Sequence, residues 1–423
     1  AGMTGSAGTT LHGRIRALPP EEAAPMEHAP LKLKPREERR LRGGHLWVFS
    51  NEVDTAATPL TDLEPGQPVV IQASNGKPLG AGYANPHSLI CARLVSRDAD
   101  KGLDRSLLVH RLKVALSARQ AMFDRPFYRL VHGEGDFLPG LVVDRYDDVC
   151  VVQMGTAGME RAREAVLEAL EKVIRPRVVI LRNDAAVREQ EGLERYTETA
   201  VGSAPETLTV EEGGMTFRVP GVGGQKTGWF FDHRENRDRF AAWSHGRRVL
   251  DVYSYVGGFG LRAAAAGAEE VVAIERSEEA LDHLQDNAEV AGLEDRVAPL
   301  HGEALEVLKA LREDGERFDA VVLDPPAFIK RKRDIKSGLE GYRHLNQLAL
   351  QLLSKDGLLL SASCSHHLGM DQLQDVVRGR ARHLDRDAAI LARGHQGPDH
   401  PIHPAIPETE YLKAVFARIL PTQ

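Results

Sequence analysis

From Arg247 onward the chain alternates short apolar runs with helix-patterned stretches, and no other feature narrows the possible folds as much. The runs are RRVLDVYSY, EVVAIERS, VAPLHGEA, FDAVVLDPP and GLLLSASCS. Strands spaced roughly 20–40 residues apart with helices between them build βαβ units, which impose parallel pairing and a sheet covered on both faces. YLKAVFARIL then reads as a last strand. The expected fold class is therefore α/β, with a parallel-sheet domain over residues 201–423.

The earlier chain has a different texture. Between Leu31 and Asp100, short alternating runs (HLWVFSNEV, QPVVIQA, LGAGYAN, LICARLV) are punctuated by Gly, Pro and Asn, which predicts a small β-rich domain over 31–101. Residues 102–200 predict an α+β domain. A helix from Arg105 to Phe123 carries Leu107, Leu108, Leu112, Val114 and Leu116 at helical spacing. Two strands turn at Asp147-Asp148, and a helix from Met159 to Val173 and the strand RPRVVILRND follow. More β-patterned residues lie near Thr207–Val219. Residues 1–30 are small, polar and Pro-rich and are expected to be a disordered lead or tag outside the fold. A length of 423 residues suits two or three domains.

No run of about eighteen apolar residues occurs, so no transmembrane helix and no membrane partner are expected. Three cysteines, Cys91, Cys150 and Cys364, offer neither a disulfide framework nor paired metal-ligand spacing, which suits a reducing cytoplasm. Cys364, His366 and His367 are too close in sequence to converge on one tetrahedral ion, so no metal is expected. The pair His400 and His403 stands in a Pro-rich turn, where capping or packing is the simpler role. The net charge of −7 argues against a nucleic-acid partner only if the basic residues are dispersed, and they are not. Leu31–Arg42 holds six Lys/Arg against two Glu, and Lys330–Lys336 holds five against one Asp. An isolated charge run is usually a solvated face, so position must decide.

The run from Asp251 through Tyr253, Gly257 and Gly258 to Gly260 closes one strand and opens an Ala-rich helix. Glycines there let a ligand approach the backbone and the free N–H groups of the helix start. Tight turns in doubly wound folds carry glycine anyway, so this signal alone is weak. The next strand ends in Glu275-Arg276-Ser277, about twenty residues on, where a carboxylate can accept ribose hydroxyls. The competing reading is a helix cap at Ser277, and both can hold together. Glu303 follows the third strand and could meet an adenine amino group; Asp324-Pro325-Pro326 ends the fourth. Ligands of open parallel sheets bind at the carboxyl ends of the strands. A dinucleotide oxidoreductase would share the first two features but has no need of Asp-Pro-Pro.

KTGWFFDHRENRDR (226–239), DVYSYVGGFG, FDAVVLDPPAFIKRK, SASCS and the tail DHPIHPAIPETEYLKAVFARI resemble the bacterial 23S ribosomal RNA cytosine-5 methyltransferases of the large-subunit methyltransferase I family. The resemblance covers nearly everything after the lead. It implies a PUA domain, a linking α+β domain and a Rossmann-like class I methyltransferase domain that uses S-adenosyl-L-methionine. It also implies RNA contacts by the basic stretches (Lys32, Lys34 and Arg39; Lys330, Arg331 and Lys332). The segment Lys226–Arg239 is expected to close over the cofactor, and within it Phe231, Asp232 and Arg237 resemble family positions.

Carbon 5 of cytosine is a poor nucleophile. A thiolate adding to carbon 6 makes carbon 5 enamine-like, able to take a methyl group. Cys364, just after an apolar strand and beside Ser365 and His366, is the expected nucleophile; the plainer reading is a small buried hydrophobe. Asp324 is expected to hydrogen-bond or protonate N3, with Pro325 and Pro326 stiffening its backbone. Ala327 stands where some RNA cytosine methyltransferases carry a second cysteine, so a single-cysteine arrangement applies. The sequence does not identify the base for the C5 proton; His366 is only a nominal candidate. Two other functions fit part of the pattern: a guanine or other nitrogen methyltransferase, for which no thiol is needed, and a non-catalytic RNA-binding ribosome assembly factor. Monomer and homodimer are equally compatible with the sequence.

Overall fold

The computed structural model describes residues 28–221 and 228–422. Almost all of the expected lead, together with Lys226 and Thr227 of the 226–239 motif, lies outside the described residues.

The N-terminal domain is a five-stranded sheet in the order Ala29–Lys32, Gln67–Gln72, Pro78–Ala84, Ile90–Ser96, Trp47–Phe49. Its alternation buries Leu31, Val48, Val69, Ile71, Cys91 and Leu94 in one cluster. The first strand begins at Ala29, inside the stretch expected to be lead. The middle domain packs the helix Arg105–Met122, capped by the Asp104 carboxylate on Leu107 N at 2.7 Å, against a second five-stranded sheet. The helix expected over Met159–Val173 is two segments, Ala157–Arg161 and Arg163–Val173. The first is pinned to the N-terminal domain: a Cβ on Gly158 would stand 2.1 Å from the Tyr83 ring. A hairpin, Thr207–Glu212 with Met215–Pro220, leads into the last domain.

That last domain has seven strands: β1 (Arg248–Val252), β2 (Glu270–Glu275), β3 (Val297–His301), β4 (Phe318–Leu323), β5 (Leu353–Ser363), β6 (Arg386–Gly394) and β7 (Lys413–Pro421). Their order is β3-β2-β1-β4-β5-β7-β6. The pairs from β3 to β5 are parallel, and β7 inserts antiparallel between β5 and β6. The helices are α1 (Arg234–Ala242), α2 (Gly258–Ala265), α3 (Glu278–Val290), α4 (Ala304–Glu313), α5 (Ile335–Leu352) and α6 (Met370–His383). Successive residues of β1 enter opposite cores. Val249 packs with Phe240, Leu261 and Leu284 on one face; Leu250 packs with Leu308, Leu345 and Leu373 on the other. Burial on both faces is why the inner strands β1, β2 and β4 are largely apolar, and it leaves their ends as the place for polar side chains; the outer strands β3 and β6 are largely exposed.

The segment between β6 and β7 reaches the middle domain. Arg119 donates to Asp399 O at 2.8 Å, and Arg129 N donates to the Asp399 carboxylate at 3.0 Å. Trp47 Nε1 joins the first two domains by donating to Glu134 at 2.8 Å.

Candidate active site

The turn after β1 is strained. Tyr253 and Tyr255 adopt φ of 67° and 51°, and Gly257 adopts 90°. Left-handed backbone at a bulky residue costs of order 1–3 kcal/mol and collects at ligand sites. Asp251 holds the turn from beneath: buried, it accepts from Gly260 N at 2.8 Å, and burial raises its carboxyl pKa to about 7. Gly257 needs its freedom, since a Cβ would stand 2.7 Å from Leu261 Cδ1. Neither residue forms the wall of the cavity above them; Tyr253, Ser254, Tyr255 and Gly258 do.

That cavity has a volume of about 860 Å³. Trp229, Phe230, Phe259 and Leu305 supply apolar wall, and Glu275, Arg276, Glu303, Asp324, Pro325 and Cys364 supply polar or strand-end wall. Glu275 is held by three backbone donors: Tyr255 N at 3.0 Å on one oxygen, Arg276 N at 2.8 Å and Ser277 N at 3.0 Å on the other. Arg276 and Glu303 pair across the rim at 3.1 Å, both well exposed. Ser277 caps α3 through Ala280 N at 3.3 Å and is absent from the wall. Phe231 is buried against Tyr146, with ring centroids 5.4 Å apart, while its neighbours Phe230 and Asp232 face the cavity.

The opposite end carries groups suited to chemistry. Asp324 follows β4 and accepts from His233 Nε2 at 3.1 Å. The other ring nitrogen, Nδ1, faces the Asn236 amide nitrogen at 3.2 Å, and that amide also donates to His395 O at 3.1 Å. In the neutral ring, accepting from that amide at Nδ1 places the proton on Nε2, directed at Asp324. Burial opposes charge on His233, but Asp324 outweighs it and holds the imidazole pKa above its ordinary value. His233 lies inside the quoted 226–239 motif, yet no role for it was expected. The available signal was the i, i+3 spacing of His233 and Asn236 on one helix face.

Cys364 follows β5, half-buried and outside any disulfide. Its loop is fixed by a buried network: Tyr342 OH lies 2.7 Å from Ser363 Oγ and 2.9 Å from Ser365 Oγ, and Ser365 Oγ accepts from Ile329 N at 3.2 Å. His366 is exposed and outside the cavity wall. Lys330, Arg331 and Lys332 are exposed just beyond Phe328, itself part of the wall. In the N-terminal domain, Lys32 is half-buried on the first strand, Arg39 is exposed, and Lys34 Nζ donates to Asn51 O at 2.8 Å; none of the three reaches the cavity. His400 pairs with Asp399 at 2.9 Å and His403 Nδ1 accepts from Ala405 N at 3.2 Å, both buried.

Comparison with known proteins gives this geometry a family. A PUA-like domain is matched over residues 31–97 and an S-adenosylmethionine-dependent methyltransferase over 129–415. The chain is 38% identical to the ribosomal RNA large subunit methyltransferase I of Aeromonas hydrophila, over 91% of this chain and 98% of that one. It is 37% identical to the Aeromonas salmonicida protein of that name, with the same coverage, and 34% identical to that of Aliivibrio fischeri, over 90% and 97%. A crystal structure of a protein described as a methyltransferase and complexed with SAH superposes with a TM-score of 0.79 at 19% identity, covering 92% of this chain and all of that one. A protein from Streptococcus mutans described as a SAM-dependent methyltransferase gives 0.78 at 19%, with the same coverage. Among the described residues, no helix is long and apolar enough to cross a membrane. By these matches the chain belongs to the ribosomal RNA large subunit methyltransferase I family of S-adenosylmethionine-dependent methyltransferases.

Proposed function

We propose that this chain methylates carbon 5 of a cytosine in 23S ribosomal RNA, in the cytoplasm, through a transient bond between Cys364 and carbon 6. One observation carries the reading: Cys364 and Asp324 line the same cavity as Glu275 and Glu303.

The cavity fits S-adenosylmethionine. Ser254 Oγ is buried in its wall without a hydrogen-bond partner, a donor left for a ligand. The doubly anchored Glu275 carboxylate suits ribose hydroxyls, Glu303 the adenine amino group, and the aromatic wall the apolar surface of the nucleoside. When bound, the cofactor supplies an electrophilic methyl group on a sulfonium.

The chain's own residues do the rest. Asp324, oriented by His233, hydrogen-bonds or protonates N3 of the cytosine and draws electron density from carbon 6. The Cys364 thiolate adds there, and carbon 5 becomes nucleophilic enough to take the methyl group. A base then takes the C5 proton, the C6–S bond breaks with its electron pair returning to the Cys364 thiolate, and the ring double bond is restored. A base inside a folded RNA must be extruded to reach such a cavity, and Lys330, Arg331 and Lys332 beside Phe328 can hold the flanking phosphates. The relatives' name and the PUA-like domain support the choice of ribosomal RNA.

The test is to incubate the protein with S-adenosylmethionine and unmodified 23S RNA, free or in large-subunit particles, and identify the methylated nucleosides by mass spectrometry. The expected product is 5-methylcytidine, abolished by Cys364→Ala. A methylguanosine formed equally well by Cys364→Ala would make this a nitrogen methyltransferase. Failure to bind the cofactor at all would leave a non-catalytic assembly factor.

A further inference from the structure

Lys413 opens β7 and stands opposite Ser363 of β5, the residue before Cys364. It is only 6% exposed. Its ammonium donates to Ser365 O at 2.6 Å, the carbonyl just after Cys364, and to Tyr411 O at 2.7 Å. Neither bond is to a carboxylate, and among the described residues no acid lies at ion-pair distance from it. Burying a lysine without a counter-ion is costly, and a fold tolerates it where an anion forms during function. The cost is visible in the group itself: burial pulls the Lys413 pKa down to about 8, while Cys364 first and Glu410 second act to raise it.

Among the described residues, the two phenols that face the thiol carry no positive charge. Tyr342 on α5 and Tyr411 at the foot of β7 both interact with Cys364, and burial raises both phenol pKa values. Tyr342 OH is committed to Ser363 and Ser365, and Tyr411 OH donates to Asp232 at 2.7 Å. Asp324 shares the cavity and is paired with His233. His366 and His367 follow Cys364 on its own loop; the His366 side chain reaches solvent, and partial desolvation of its ring, with Lys413 nearby, lowers its pKa.

We propose that Lys413 is a positioning residue whose buried ammonium stabilises the Cys364 thiolate, both before it adds to carbon 6 and when it leaves. This rests on the reading of Cys364 as the nucleophile. A cation beside a cysteine favours its thiolate form, and here one carbonyl on the nucleophile's loop, Ser365 O, and one on Lys413's own segment, Tyr411 O, hold that cation in place. Lys413 itself touches neither substrate nor cofactor in this role.

The experiment is alkylation of the full-length protein by iodoacetamide across pH 5–10, with the Cys364 peptide followed by mass spectrometry. It needs no RNA, so it reads the thiolate whatever nucleoside the enzyme methylates. In the wild type the pH midpoint should lie below the ordinary thiol value of about 8.5. Lys413→Met should move it up by about one unit, the size of a tenfold change in thiolate stability. Lys413→Arg should keep it near the wild-type position. The Met variant should also lose kcat on RNA with the KM for S-adenosylmethionine unchanged. A wild-type midpoint at or above about 8.5 overturns the proposal even if no variant folds. So does a Met variant with lower kcat but an unmoved midpoint, which would give Lys413 a purely structural role in the loop. A normal midpoint shift with methylguanosine as product would instead sink the cytosine reading and leave the thiolate pairing standing.

Discussion

Glu275→Gln should cripple cofactor binding out of proportion to its size. The carboxylate takes three backbone N–H groups on two oxygens: Tyr255 N on one, Arg276 N and Ser277 N on the other. An amide can keep one of those sets only, because its nitrogen is a donor facing donors. With its oxygen on Arg276 and Ser277, the new NH2 meets Tyr255 N and the strained turn that Tyr255 belongs to. It also removes the charge that makes Glu275 a strong acceptor for ribose hydroxyls. A hydrogen bond to a charged group contributes about 1.5–3 kcal/mol. Losing one such contact corresponds to roughly 10- to 150-fold in Kd. Calorimetric titration with S-adenosylhomocysteine reads this directly, without RNA or turnover. A Kd within threefold of wild type, in a variant with an unchanged melting temperature, would refute the assignment of Glu275 to the ribose.

Glu212 is a buried carboxylate between Arg237, at 2.6 Å, and Arg262, at 3.5 Å, and it also accepts from Trp229 Nε1 at 2.9 Å. Glu212→Gln strands a buried guanidinium, a loss of about 3–5 kcal/mol, which for a domain of this size corresponds to roughly 6–20 °C in Tm. Burial resists ionisation of Glu212, but Arg237 outweighs it and holds the carboxyl below its ordinary 4.5; its stabilisation is therefore complete above pH 4.5 and fades as pH falls through the folded value. Melting curves of mutant and wild type should accordingly converge in acid, and a constant gap down to pH 3 would contradict the ion-pair account. His233→Ala should lower kcat on RNA by roughly 10- to 100-fold through the lost charge-assisted hydrogen bond to Asp324, with the Kd for S-adenosylhomocysteine little changed. The pairing also stabilises the fold: with the His233 pKa raised, that contribution is full below pH 6.5 and disappears as pH rises through the folded value. Equal kcat in the His233 variant would remove the imidazole from the chemistry.

The sheet was legible in the sequence because its physics is repetitive. Strands buried on both faces must be apolar along their length, so any carboxylate they bear shows up at an end, and Glu275, Glu303 and Asp324 stood out on that ground. Cys364 was legible for the same reason, at the end of GLLLSAS. What local pattern could not give was pairing across long separations. His233, in the short helix just before α1, meets Asp324, just after β4, across a separation of 91 residues. Lys413 reads as one cation at the start of an ordinary strand. Its place beside the thiol depends on β7 inserting antiparallel next to β5 in the register that sets it opposite Ser363. Phe231 was grouped with the cofactor residues from its motif, but the short helix at Phe231–His233 turns its ring inward onto Tyr146 and presents Phe230, Asp232 and His233 instead. Ser277 illustrates the opposite case, in which a cap signal next to a site signal proved to be a cap in geometry.

The strand order itself divides the proposed labour. β1 lies between β2 and β4, and chain direction across the sheet reverses its progress there, which opens a crevice at the carboxyl ends. The residues proposed for the nucleoside, on the β1 turn, β2 and β3, all fall on one side of that crevice. Asp324 and Cys364, on β4 and β5, fall on the other. Methyl transfer mainly demands that donor and acceptor be brought into line, and the crevice between two such sets is where they can meet. His233 bonds to Asp324, and Asn236 ties His233 to His395, at the start of the segment that reaches back to Arg119 and Arg129 of the middle domain. A contact chain through His233, Asn236, His395 and Asp399 therefore connects the proposed catalytic carboxylate, Asp324, to the domain that joins the PUA-like module to the methyltransferase one. A variant that loosens that connection, such as Asp399→Ala, should therefore depress kcat on RNA while leaving cofactor affinity intact, whereas equal losses in both would mean the segment supports the fold alone.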